Sequence, residues 1–244
     1  MKIKLIKDIL VDKFLSPIFK VVEQCVITLQ PNSMQSLVTT SDSNPILYAK
    51  AKTDCDLGKE TELTLNIPNV NKLNRMLNCI DSSDIELEVN SNNIEYKSLN
   101  MKFKYHLLDD DVIEKSAVSL KKVNSLTFDS DFIIGKDSSA DLMKGASFAS
   151  ESNKLYFYMK DDKVYAELTD KEVANMDSVS YFITDTFSGT EVKKPMLIDL
   201  EIFKMFYGLK QDIITKINTK SRYMMFKFED TGYTLQYIVS PLVK

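Results

Sequence analysis

His106 is the only histidine in the chain, and it falls in an alternating stretch, Met101 to Leu108, that reads as a strand. A lone imidazole with no spaced nucleophile beside it offers neither a nucleophile–base pair nor a metal-ligand set. Cys25, Cys55 and Cys79 are odd in number and show no C-x-x-C spacing. That argues against a zinc site or a disulfide framework and suits a reducing compartment. The six glycines are too scattered for a dinucleotide fingerprint. Gly58-Lys59-Glu60 and Gly135-Lys136-Asp137 lack the Ser/Thr and the upstream glycine of a phosphate-cradling loop. Asp109-Asp110-Asp111 sets three carboxylates side by side, but without companion ligands a solvated turn is the simpler reading than a divalent-cation site. Hydrolytic and metal chemistry at neutral pH lack their usual side chains. The expectation is a protein that is not an enzyme and needs no metal and no cofactor.

The 244 residues carry 31 basic and 35 acidic side chains, a formal charge of −4, with 44% hydrophobic and 27% charged residues. This composition suits one large globular domain or two modest ones. No apolar run approaches the ~20 residues of a membrane helix. The N-terminal stretch mixes charge into its apolar residues, so no signal peptide is read there and an intracellular location is expected.

Much of the chain alternates with period two, the mark of half-buried strands. Asp84 to Val89 places Ile85, Leu87 and Val89 on one face and Glu86 and Glu88 on the other. Leu155–Met159, Lys163–Leu168, Ser178–Ile183, Tyr223–Phe228 and Tyr233–Val239 read alike, separated by polar turns that suggest antiparallel hairpins. Helical spacing begins at Val70 and runs through Leu73, Met76, Leu77 and Ile80, with Asn69 placed to cap it. A second helix follows Asp199, through Ile202, Phe203, Phe206 and Leu209, with Gly208 near its end. Near the N-terminus, Pro17 either kinks or opens a helix that buries Ile18, Val21, Val22 and Cys25. A fourth, weakly periodic helix is expected within Asp131 to Ser147.

Two strand–helix–strand blocks match in order. Leu63 to Leu77 re-enters a strand at Asp84, and Met196 to Leu209 re-enters one at Asp212. The chain therefore reads as two copies of one unit of about 110–120 residues: a first domain over 1–110, a connector over 111–124 and a second domain over 125–244. Ile113, Val118 and Leu120 are apolar residues in a polar connector, and they need a surface to lie on.

This duplicated pattern resembles the DNA polymerase sliding clamps of the PCNA type over essentially the whole chain. The local matches are Asn69 to Cys79 followed by Asp84-Ile85, and Ile238-Val239-Ser240-Pro241, which is similar to the family's Tyr-Leu-Ala-Pro ending. The resemblance implies an α+β fold of two duplicated clamp domains, three subunits closing into a ring with antiparallel sheets outside and helices lining the hole. It implies a processivity factor that encircles duplex DNA without reading sequence, and whose partners are a DNA polymerase, a clamp loader and further copies of itself, with no membrane. Divergence from cellular clamps, together with abundant Lys, Asn and Ser, points to a phage or other viral source and hence the host cytoplasm.

By the same resemblance, the DNA-facing residues would be Lys13, Lys20, Lys72, Arg75, Lys136, Lys144, Lys204 and Lys210. Lys72 and Arg75 stand out, because Asn69 to Ile80 carries no acid. A partner peptide would enter a groove bounded by Leu37, Ile113, Val118, Leu120, Ile238, Val239 and Pro241. Subunits would join through Met101, Phe103 and Tyr105 on one edge and Val179, Tyr181 and Ile183 on the other. Two other readings remain open at this stage: a DNA-gripping polymerase accessory subunit that forms no ring, and a β-rich viral structural or assembly protein.

Overall fold

A computed structural model describes residues 1–148, 152–206 and 208–241. The chain divides into two units, Met1–Asn124 with Glu229–Leu235, and Ser125–Phe228 with Gln236–Lys244. The hairpin segment Glu229–Leu235 was expected in the second domain but groups with the first. Its ties explain why: the Lys52 N–H donates to the Gly232 carbonyl at 2.8 Å, and the Lys13 ammonium lies 6.0 Å from the centre of the Tyr233 ring.

In the first unit, β1 (Lys2–Ile6) precedes a π-helical stretch, Ile9–Leu15, that continues as α1 (Ser16–Phe19). Then come β2 (Cys25–Gln30), β3 (Ser33–Thr39), β4 (Ile46–Lys52), β5 (Asp54–Cys55), β6 (Leu63–Ile67), α2 (Val70–Asn78), β7 (Asp84–Val89), β8 (Asn93–Lys97) and β9 (Lys102–His106). One sheet has the order β5-β1-β7-β8-β9 and a second ladder runs β4-β3-β2-β6, all neighbouring strands of both being antiparallel. The N-terminal helix starts earlier than expected. Leu10, Val11, Phe14, Leu15 and Ile18 recur at helical spacing and are all buried. Pro17 sits in the first turn of α1, just after the change from π- to α-helical winding. Val21 and Val22 are only half-buried and Cys25 opens a strand, so the burial falls one turn upstream of the expected face. In α2 the Asn69 Oδ1 accepts from the Lys72 N–H at 2.7 Å, the capping bond that the sequence suggested. The connector is not wholly irregular. It ends in α3 (Leu120–Asn124), which buries Val123.

The second unit repeats this order: β10 (Ser130–Ile134), α4 (Lys136–Phe148), β11 (Lys154–Lys160), β12 (Lys163–Leu168), β13 (Val179–Thr184), β14 (Phe187–Gly189), β15 (Met196–Asp199), α5 (Leu200–Lys204), β16 (Ile213–Asn218), β17 (Tyr223–Asp230) and β18 (Tyr233–Val239). Its strands run β14-β10-β16-β17-β18 and β13-β12-β11-β15. Element for element, these are the two strand orders of the first unit. The helix expected within Asp131 to Ser147 is α4, which begins at Lys136; before it Phe132 and Ile134 alternate inward on a strand that Gly135 ends. Helix α5 is also shorter than expected. It stops at Lys204, although Phe206 and Leu209 remain buried, and Gly208 turns the chain at φ +96°. An aromatic core fills the unit: Phe206 lies 5.1 Å from Phe226 and 4.7 Å from Tyr237, ring centre to ring centre.

Candidate nucleic-acid interface and partner groove

Helix α2 buries Val70, Leu73 and Leu77, which turns Asn71, Lys72, Arg75 and Asn78 to solvent. Lys72 and Arg75 are three apart and so share a face. No acidic residue stands in the first turn, and Arg75 occupies the last, where the helix dipole favours a cation. The π-helical stretch and α1 both pack against α2. Lys13 on the first is half-buried beside Tyr233. Lys20 caps the C-terminus of α1, and desolvation lowers its amine from the usual lysine value.

In the second unit, a cleft of about 850 Å³ lies between α4 and the segment after α5. Lys136, Lys144 and Lys210 line it over a floor that includes Met143, Phe206, Leu209 and Phe228. Lys144 is paired with Asp141 at 2.8 Å and Lys204 with Glu201 at 2.5 Å. Exposed pairs of this kind contribute about 0–1 kcal/mol, so a phosphate oxygen can compete for either lysine. Lys72, Arg75, Lys136 and Lys210 have no ion-pair partner within 4 Å among the described residues.

The first unit also holds a groove of about 740 Å³. Leu37 lines it, with Val22, Val26 and Val38. The connector wall is not the expected one. Glu114, Lys115, Ser116 and Ala117 face the groove, whereas Ile113 is only 6% exposed and lies in the core. Val118 and Leu120 are half-buried beyond that wall, and the Val118 N–H donates to Ser116 Oγ at 3.2 Å. Ile238 and Val239 are buried within β18 and Pro241 is half-buried. All three group with the second unit. The Gln24 side chain also lines the groove, and its buried Oε1 has no hydrogen-bond partner among the described residues. Sequence reasoning missed Gln24; only the alternation that opens β2 marks this segment. Next to it, burial pushes the Cys25 thiol up to about 12 and leaves it neutral.

Strands β9 and β13 each pair on one side only among the described residues. Their expected interface side chains point mostly inward. Phe103, Tyr105 and Ile183 are buried, and Met101, Val179 and Tyr181 are half-buried. The Tyr105 hydroxyl donates to the Asn69 carbonyl at 2.7 Å and accepts from the Asn69 N–H at 2.9 Å, which ties β9 to the start of α2. Burial raises that phenol to about 12. Lys102, Lys104, His106, Ser180 and Phe182 are the residues of these strands left exposed.

Among the described residues, no group of three or more His, Cys, Asp or Glu side chains could hold a metal ion, and no helix is long and apolar enough to cross a membrane. No protein-family model matches the chain, and no curated protein sequence does. Solved structures match it over its whole length. A chain in the structure of the C-terminal region of FEN-1 bound to A. fulgidus PCNA is 15% identical, with a TM-score of 0.79, covering 100% of this chain and 98% of that one. The PCNA2–PCNA3 complex from Sulfolobus tokodaii gives 10% identity and 0.77 over 100% of both chains. The DNA polymerase sliding clamp from Bacillus subtilis gives 14% and 0.73, covering 100% of this chain and 64% of that one. The two-unit strand order described above is thus the sliding-clamp fold.

Proposed function

We propose that the chain is a DNA sliding clamp: a homotrimeric ring that encircles duplex DNA, is placed there by a clamp loader and tethers a DNA polymerase, with no catalytic activity of its own. One observation carries the reading. The two units share one strand order, and each presents exposed basic residues from helices, with Lys72 and Arg75 on a helix that carries no carboxylate of its own. Enclosure retains DNA without base contacts, so the inner wall needs only weak attraction to phosphates, and tight binding would oppose sliding. A formal charge of −4 is compatible with that role when the cations are segregated on helices.

The groove of the first unit supplies the partner site. Its apolar wall from β2 and β3 would receive the side-chain anchors of a polymerase peptide, and Gln24 would offer an acceptor for a peptide N–H. Primer extension on a primed single-stranded circle, with the polymerase of the same source, tests the function. Longer products per binding event are expected when the chain and loader are present. An unchanged product length would refute the tethering role.

A further inference from the structure

The sheet β13-β12-β11-β15 of the second unit turns one face toward α4, where Leu155, Phe157, Val164, Ala166 and Leu168 are buried. On its other face Tyr158, Tyr165 and Phe182 stand opposite one another on three successive strands. Tyr158 and Tyr165 stack at 5.6 Å, and Phe182 meets Tyr165 edge-on at 6.0 Å. Phe182 is 52% exposed, and Tyr158 and Tyr165 are half-buried. The rings project from the face of the sheet, so backbone pairing along the β13 edge would not by itself cover them.

The first unit shows that the fold does not need this row. Its ladder β4-β3-β2-β6 has the same element order, and the two hairpins fix the correspondence. Gln30 pairs with Ser33 around the turn Pro31-Asn32, and Lys160 with Lys163 around Asp161-Asp162. Counted from those pairs, the places of Tyr158, Tyr165 and Phe182 are taken in the first unit by Thr28, Gln35 and Lys50. There Gln35 Oε1 accepts from the Tyr48 hydroxyl at 2.9 Å, a polar arrangement throughout. Cross-strand ring pairs stabilise a sheet, but a third ring left half in water adds little to that. Exposed apolar clusters of this kind mark contact surfaces.

Charge states what the surface suits. Residues 154–185 carry four lysines against seven carboxylates. Lys154 is paired with Asp170 and Glu172, and Lys171 with Glu167. Lys160 and Lys163 stand at the hairpin whose turn holds Asp161 and Asp162, while Asp177 and Asp185, both exposed, flank β13. The face already holds one cation against its rings: the Lys171 ammonium lies 4.9 Å from the Tyr156 ring centre and 5.5 Å from that of Tyr158. A guanidinium, planar and less strongly hydrated, stacks on rings more readily than an ammonium. We propose that this face docks a basic peptide segment of another protein, with an arginine laid on the Tyr165 and Phe182 rings and its neighbouring cations drawn by Asp177 and Asp185. The surface belongs to the other unit from the partner groove, and it does not depend on ring formation.

Fluorescence polarisation of the full chain tests the proposal with a fluorescein-labelled peptide of alternating arginine and serine, and with its citrulline counterpart, which keeps the shape and lacks the charge. The chains compared are wild type, Phe182→Ser, Asp177→Asn/Asp185→Asn, and Tyr158→Thr/Tyr165→Gln/Phe182→Gln, with circular dichroism confirming folding. The arginine peptide should bind wild type saturably, and the citrulline peptide about tenfold more weakly or worse. Phe182→Ser, an exposed single change, should weaken the arginine peptide about threefold or more, and the triple variant further. The Asn pair should weaken it and reduce its salt dependence. Arginine binding that survives both ring variants would overturn the part of the rings, and binding unchanged in the Asn pair would overturn that of the carboxylates. Equal binding of the two peptides, or no saturable binding to wild type, would overturn the docking surface itself. A labelled oligothymidylate bound in place of the arginine peptide, and lost with Phe182→Ser, would give the face to single-stranded DNA and overturn the proposal.

Discussion

Lys72 and Arg75 project from a helix whose other exposed residues near them are amides, and a carboxylate from outside the helix, Glu23, stands at its start, accepting from Asn69 Nδ2 at 2.8 Å. Changing both to Glu should leave folding and assembly intact, because exposed charges contribute little to stability. It should sharply reduce DNA retention and flatten its salt dependence by roughly one unit of log–log slope per lost phosphate contact; retention at the wild-type level would place the DNA-facing surface elsewhere. Tyr237 shows the opposite situation. It is fully buried, its hydroxyl has no partner among the described residues, and burial raises its phenol well above the usual tyrosine range. An unpaired buried hydroxyl costs about 1–3 kcal/mol. Tyr237→Phe should therefore be neutral or stabilising by about 1 kcal/mol in urea unfolding, and a clear loss of stability would reveal a bond that the hydroxyl makes.

Elements with strict periodicity were legible in the sequence, and those defined by longer-range burial were not. The alternation of Asp84 to Val89 and the Asn69 cap of α2 are local signals, and both are present in the structure. By contrast, the N-terminal helix begins upstream of Pro17, which the sequence reads as either a kink or a helix opening and which stands in the first turn of α1. The helix expected within Asp131 to Ser147 is α4, whereas strand β10 was not read, because Phe132, Ile133 and Ile134 give no clean period of either kind over so few residues. The connector misled for a related reason. Ile113 is apolar and was assigned to a groove wall, but the core claims it, and Glu114 to Ala117 face the groove instead. Leu37, half-buried on β3, lines that groove. Anchors in such pockets commonly contribute about 2 kcal/mol or more. Leu37→Ser should thus reduce polymerase stimulation at least tenfold while the chain still assembles, as read by primer extension beside sedimentation. Undiminished stimulation would move the partner site away from this groove.

At the scale of the whole molecule, identical strand order in the two units argues that one fold was used twice. The duplication was readable from the paired strand–helix–strand blocks, although the grouping of Glu229–Leu235 with the first unit was not. Tertiary contact decides that grouping, and no local pattern encodes it. Strands β9 and β13 each keep one unpaired side among the described residues, and in the proposed ring other copies would cover them, since heterologous pairing closes when the rotation permits. The consequence is topological and distinguishes a ring from any protein that merely grips DNA. The most direct test loads the chain onto nicked circular duplex DNA with its clamp loader, isolates the complex at elevated salt, and then cuts the circle once. A clamp should stay on the intact circle through gel filtration and run off the ends after cutting. Equal retention on circular and linear DNA, or release from both at the same salt concentration, would contradict encirclement.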